Sequence, residues 1–290
     1  PFSVAIEPDW RGLLDAILRT GRPKRVHFIE LFLDPEVSEA LASRYGILDD
    51  LNPSDPYYTE KLEVAIQSFL GYDYVRCSLR GMDMPLNYSN TKDTADLARR
   101  DGRQYVDEHK GPVTTWEEFE RYPWPDPEAA SSRSLEWYEA HLPENMCVIG
   151  SGGFAHFAEY ITWLMGYETL CFALCEQRDL VEAIARRLVD SYRIFLKRLL
   201  AFDRVKIVWG SDDMGYRGGP LIGPDDLRAF VLPGHKLMAE MSHAAGRPYL
   251  LHACGNLSLI MDDLLDDVRI DGKHSFEDTI ERVTDAKDTY

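Results

Sequence analysis

The 290-residue chain contains no apolar run of about 18 residues, the length that a membrane-crossing helix requires. Its first ten residues, Pro1 to Trp10, carry acids and a proline where a secretory leader would carry a basic and then an apolar stretch. Positive charge is also short: 32 lysines and arginines stand against 49 aspartates and glutamates, a formal net charge of −17. Such a field opposes approach to phosphate backbones and anionic bilayers, so neither nucleic acid nor membrane is an expected partner. The cysteines (Cys77, Cys147, Cys171, Cys175 and Cys254) are odd in number and irregularly spaced, which argues against a disulfide framework and for a reducing, cytoplasmic setting. Cys171 and Cys175 stand at helical i, i+4 spacing, which two buried core thiols satisfy more readily than a metal pair does. A nucleotide fingerprint is missing too, because Gly150-Ser-Gly-Gly-Phe154 matches neither G-x-G-x-x-G nor a P-loop with its lysine. No internal repeat or low-complexity tract points to a solenoid or a disordered tail.

What is present is a chain with 45% hydrophobic residues, enough to bury the core of one large barrel or of two smaller units. Six short apolar or β-branched runs read as strands: Arg25–Leu31, Tyr72–Leu79, Met146–Gly150, Val205–Trp209, Pro248–His252 and Asp271–Phe276. Segments of helical period separate them, and such alternation implies a parallel sheet. The clearest helix repeats Leu180, Ile184, Leu188, Tyr192, Phe195 and Leu199 along one face. Another opens at Gly223-Pro-Asp-Asp226, is kinked or split at Pro233, and closes at Gly246. A last helical pattern runs from Asp278 to about Lys287. Residues 81–143, rich in Trp and Pro, read as a long excursion from a single domain spanning 1–290. A closed (β/α)₈ barrel needs eight strands. Six signals therefore predict a TIM barrel whose last two β/α units lie outside this chain, or else an open six-stranded sheet.

Candidate chemistry gathers at the carboxyl ends of these strands, where parallel barrels place their catalytic groups. His252 and Cys254, at i, i+2, share a face and lie roughly 6.5 to 7 Å apart at Cα. Imidazole and thiolate are preferred zinc ligands, although a buried cysteine beside a hydrogen-bonded histidine fits the same spacing. Glu30, the pair Asp212 and Asp213, and His274 with Glu277 end other strands and would surround the same mouth. The Asp212-Asp213 pair equally suits a plain cap of a following turn. His27 reads as a core residue. Gly152 and Gly153 would let a ligand approach the backbone or cradle an anion, and Arg80, Tyr216 and Arg217 are further candidates for the mouth.

The stretch from Val205 to Asp278 resembles the uroporphyrinogen decarboxylase superfamily. Its members carry a strand ending in an Asp-Asp-like turn, a segment of the form gp-ISP-elf-ref-lP, and a strand ending in H-x-C-G. The corresponding residues are Gly210-Ser-Asp-Asp-Met-Gly-Tyr216, Gly219 through Pro233, and His252-Ala-Cys-Gly-Asn256. Weaker likeness covers Gly150 to Leu200 and the Glu30 region. The resemblance implies a TIM barrel and one of two chemistries. Decarboxylation of uroporphyrinogen draws on an R-Q-A-G-R motif after the first strand, where this chain reads Leu31-Phe-Leu-Asp-Pro35, and on an F-S-D-I-L strand, where it reads Val75-Arg-Cys-Ser-Leu79. Its basic cluster Arg22, Lys24 and Arg25 precedes the first strand and so belongs to the opposite end of a barrel. The other branch, zinc-dependent methyl transfer between corrinoid proteins and thiols such as coenzyme M, uses the H-x-C pair plus a cysteine near the C-terminus. That comparison assigns His252 and Cys254 to zinc, implies a corrinoid protein as partner beside a small-molecule substrate, and places the third ligand beyond Tyr290. Asp213, Glu277 or His274 are the local candidates for a further ligand, and a neighbouring carboxylate equally suits the role of orienting His252. Methyl transfer is the leading expectation; uroporphyrinogen decarboxylation and a noncatalytic small-ligand-binding barrel are the alternatives.

Overall fold

A computed structural model describes residues 6–91, 103–107 and 109–290. The chain runs through α1 (Trp10–Leu18), α2 (Pro35–Arg44), a 3₁₀ turn (Ile47–Asp50) and α3 (Tyr58–Leu70) into β1 (Tyr74–Cys77). A small hairpin, β2 (Tyr88–Thr91) with β3 (Arg103–Val106), and helices α4 (Trp116–Arg121) and α5 (Arg133–His141) precede β4 (Cys147–Gly150). Helices α6 (Phe157–Met165), α7 (Tyr167–Glu176) and α8 (Arg178–Leu199) lead to β5 (Val205–Ser211), after which β6 (Gly215–Tyr216) and β7 (Gly219–Pro220) form a second hairpin. Then come α9 (Pro224–Phe230), α10 (Leu232–Ala244), β8 (Tyr249–His252), a π-helical turn (Asp263–Val268), β9 (Gly272–His274) and α11 (Val283–Thr289). No helix among the described residues is long and apolar enough to cross a membrane.

The fold is mixed α/β, built on a five-stranded sheet in the order β1-β4-β5-β8-β9 with every pairing parallel. Alternation along each strand divides the side chains between two faces. Val75, Cys77, Val148, Val205, Val208, Tyr249 and Leu251 join the large core under the helices. Tyr74, Cys147, Ile149, Ile207, Trp209 and Leu250 point to the opposite face and form a second cluster with Leu13 of α1. Helix α1 lies at the amino ends of the strands, since the Trp10 amide and indole N–H donate to Asn145 and Glu144 carbonyls just before β4 (3.2 and 3.0 Å). The carboxyl ends lie away from that contact, and there the polar residues collect.

Five of the six expected strands pair in this sheet; the first does not. Arg25 to Leu31 makes no backbone ladder with any described strand and is held by side chains. Arg25 and His27 (2.7 Å) both pair with buried Asp73, and the Glu30 amide donates to the Tyr74 hydroxyl at 2.8 Å. These two side chains at the head of β1 occupy the segment's polar groups in place of a neighbouring strand.

Helix α8 buries the periodic stripe read from Leu180 to Leu199. Pro233 marks the break between α9 and α10, and Gly246, at φ +71°, follows α10 as its left-handed stop. The final helix is shorter than its pattern, starting only at Val283. The excursion is no detached appendage: Met82, Met84, Val113, Tyr122, Leu135 and Tyr138 are buried in the main core, while its residues 92–102 and 108 lie outside the described residues, as do 1–5. Cys171 and Cys175 correct an expectation, for both lie on the exposed side of α7 whose buried residues are Leu170, Ala173 and Leu174.

Candidate metal centre

Two adjacent acids follow β5 and point opposite ways. Asp212, wholly buried, turns toward the helices, where Oδ1 accepts the Glu159 amide (3.0 Å) and Oδ2 accepts the Ala158 amide (2.9 Å) and faces His235 Nε2 (2.9 Å). It therefore caps α6 from a distance, an anion at the positive end of that helix. Buried His235 is closed on its other side by the Tyr249 hydroxyl at 2.9 Å. Asp212 thus belongs to the scaffold beneath the mouth, a correction to its expected place among the catalytic groups. Asp213 is half-buried and faces the mouth, where Oδ1 accepts the Cys254 amide at 2.9 Å.

His252, at the end of β8, and Cys254, just beyond it, meet Asp213 here. Cys254 Sγ lies 3.4 Å and Asp213 Oδ1 lies 3.5 Å from His252 Nε2, and ligand atoms of all three residues fall within 4.8 Å of one another. A tetrahedral zinc with bonds of about 2.3 Å to sulfur and 2.0–2.1 Å to nitrogen and oxygen has N···S and N···O edges of about 3.6 and 3.3 Å. The observed separations match those edges, so the residues fit a small divalent ion, with a fourth position left for another ligand. Asp213 keeps lone pairs free beyond the one given to the Cys254 amide.

His252 is aimed by a second histidine. Its Nδ1 lies 2.7 Å from Nδ1 of His274, which β9 holds directly opposite in the sheet register. For His252 Nε2 to donate a lone pair, the proton must sit on Nδ1 and point at His274, whose own proton is then on Nε2. The His274 ring packs edge-on against Trp209, with centroids 5.3 Å apart. Behind Cys254, Gly255 adopts φ +82°, and a Cβ there would come within 2.2 Å of the Gly215 carbonyl carbon. Only glycine lets the loop lie against the β6–β7 hairpin, which explains the residue after the H-x-C pair. Glu277 accepts the Gly255 amide at 3.2 Å and so braces this loop from an exposed position.

Electrostatics prepare the pair for a cation. Burial presses His252 down to about 4, against the upward pull of Asp213 and with help from His274 and Lys273. Burial and the Asp213 charge push Cys254 up to about 11, the Ser275 hydroxyl opposing them. At neutral pH the ion-free pair is imidazole and thiol. A divalent cation needs to displace only the thiol proton.

A cleft of about 360 Å³ opens beside Asp213, lined by Glu159, Trp163, Tyr167, Tyr216 and Leu221 among others. Glu159 is hydrogen-bonded to His156. Burial raises the Glu159 carboxyl, and the bond and charge of Glu159 raise His156 despite its own burial. Tyr216 is thus brought to the site, with Arg217 next to it at the exposed turn of the hairpin. Gly152 and Gly153, at φ +92° and +62°, form an exposed turn after β4 with open space at both Cβ positions. Glu30 and Arg80 line a different cavity, on the β1 side. The sequence reading missed His156, Glu159, Trp163 and Ser275, none of which belongs to a local motif. No protein-family model matches the chain and no curated protein matches it, so the functional reading rests on the geometry of Asp213, His252 and Cys254.

Proposed function

We propose that the chain is part of a (β/α)₈ barrel that binds zinc through His252, Cys254 and Asp213 and uses it for methyl transfer from a corrinoid protein to a thiol. The observation that carries this is the convergence of one imidazole, one thiol and one carboxylate at tetrahedral spacing at the carboxyl ends of β5 and β8. Zinc, when bound, supplies a Lewis acid that keeps a thiol deprotonated at neutral pH. The chain's own residues do the rest. His274 fixes the tautomer and direction of His252, Asp213 adds the charge that draws a cation into a half-buried site, and Gly255 sets the loop that presents Cys254. The cleft beside Asp213, walled by Trp163, Tyr167 and Tyr216, gives a substrate room to reach one side of the centre. In the reaction a methyl group leaves cobalt without its bonding electrons and joins the thiolate sulfur. The corrinoid retains the electron pair.

The test uses the protein purified without chelators. One equivalent of zinc bound in the micromolar range or tighter, lost in Cys254→Ser, is expected, together with zinc-dependent transfer of methyl from methylcobalamin to coenzyme M. Failure to bind added zinc sinks the reading. Metal-free conversion of uroporphyrinogen to coproporphyrinogen would replace it, and zinc binding with no transfer to any thiol would leave a noncatalytic metal-binding barrel.

A further inference from the structure

The sheet face that carries the metal donors also carries a charge with no partner. On β1, Tyr74 and Arg76 point to this face while Val75 and Cys77 point to the helices. Arg76 Nε donates to the Ser151 hydroxyl at 2.8 Å, and no carboxylate among the described residues lies within ion-pair distance of its guanidinium. Burial lowers its affinity for its proton. Removing an unpaired guanidinium from water costs several kcal/mol even after relaxation, which a stable fold normally avoids by pairing. Two neighbouring groups are also unmet: the indole N–H of Trp209, a residue 1% exposed, and the side-chain carbonyl of Gln67.

Arg76 and Gln67 border one cavity of about 290 Å³, whose lining also includes Glu30, Tyr72, Tyr74 and Arg80; Trp209 lies behind Arg76, outside that lining. The guanidinium carbon of Arg76 stands 5.7 Å from the Trp209 ring centroid, and Trp209 in turn packs against His274. We propose that this cavity is a metal-independent binding site for a small organic monocarboxylate, with Arg76 as its anchor. With Nε committed to Ser151, the two terminal nitrogens remain to receive both oxygens of a carboxylate, the bidentate pairing for which arginine is suited. Glu30 and Glu63 in the same lining lower the local positive potential. They favour a single negative charge over a phosphate dianion. Tyr72 and Tyr74, with Phe32 and Leu33, give the lining carbon surface for the rest of the acid.

The experiment is calorimetric titration of EDTA-treated protein with benzoate, its neutral isostere benzamide, and inorganic phosphate. Working without metal separates this proposal from the zinc reading: binding here survives even if zinc never binds, and zinc binding without benzoate binding overturns this proposal alone. Benzoate is expected to bind at least about tenfold more tightly than benzamide or phosphate. Arg76→Gln should abolish that preference and Arg76→Lys should retain part of it, whereas Arg186→Gln, on the exposed side of α8, should leave it unchanged. The melting temperature of Arg76→Gln should equal or exceed the parent's, because the variant removes a half-buried charge that has no ion-pair partner among the described residues; a merely structural arginine would give the opposite sign. The proposal fails if benzoate and benzamide bind alike, if phosphate binds more tightly, if nothing binds, or if Arg76→Gln keeps the preference. The benzoate and benzamide comparison decides the matter in the parent protein should the variant not fold.

Discussion

Zinc uptake by this site should release one proton at pH 7.5 and still only one at pH 5.5. The reasoning starts from two displaced titrations. Cys254 is held up at about 11, so at pH 7 only about one site in ten thousand carries a thiolate, and binding an ion displaces essentially a full proton from sulfur. His252 is held down at about 4, so its imidazole is already neutral at pH 5.5 and contributes almost no proton. The affinity therefore rises with pH, by one logarithmic unit per pH unit from about 5 to about 10. Ordinary side chains would behave differently. With His near 6.5 and Cys near 8.5, about two protons would leave at pH 5.5, and the affinity would level off above about pH 8.5. Calorimetric titration with zinc in buffers of different ionisation enthalpy counts the protons directly. A count close to two at pH 5.5, or an affinity flat from pH 9 to 10, would refute the argument that burial sets the state of this pair.

Other consequences are structural. Asp212→Ala removes the remote cap of α6 and leaves His235 buried without its carboxylate, so it should cost about 3–5 kcal/mol in urea unfolding while the folded fraction still binds one zinc. Gly255→Ala forces a side chain onto the Gly215 backbone at a positive φ; loss of zinc binding with a stability loss above about 1 kcal/mol is expected, and unchanged zinc affinity would contradict the loop's role. His274→Ala takes away the acceptor that fixes the His252 tautomer, and zinc affinity should fall about 10- to 100-fold with stoichiometry intact.

The two acids after β5 show where sequence reasoning stopped. A period of two says that Asp212 and Asp213 face opposite ways, but not which of them faces the helices. That phase follows from Val208 lying in the helix-covered core and Ile207 with Trp209 in the other, a fact of assembly rather than of the local sequence. Arg76 was hidden for the same reason, one step out of phase from the buried Val75. The pair His252 and Cys254 was legible because both residues lie within two positions of a strand end, whereas the contact of His274 with His252 depends on β9 pairing beside β8, which no local pattern shows. Helix α8 was legible because its stripe runs almost the whole length of a 22-residue helix. Arg25 to Leu31 misled because its β-branched composition is that of a strand, while the ladder it needed was replaced by contacts with Asp73 and Tyr74. The cysteines of α7 misled because their spacing fixes only a shared face, and the leucines beside them take the buried one.

The sheet face opposite the large core carries different polar groups at its two ends. Its β5, β8 and β9 end gathers imidazole, thiol and carboxylate, and its β1 end presents a guanidinium, with the rings of Trp209 and His274 between them. The net charge of −17 makes this placement informative, since an acidic protein repels anions at long range and can accept one only where a local cation outweighs that field. Arg76 is such a cation because no carboxylate among the described residues lies within ion-pair distance of it. If the metal and anion sites act on one molecule, zinc should alter benzoate affinity and benzoate should alter zinc affinity by the same factor, because the coupling free energy between two sites is reciprocal. Equal factors different from one establish communication across Trp209; factors of one on both sides mean that the two sites serve separate ligands.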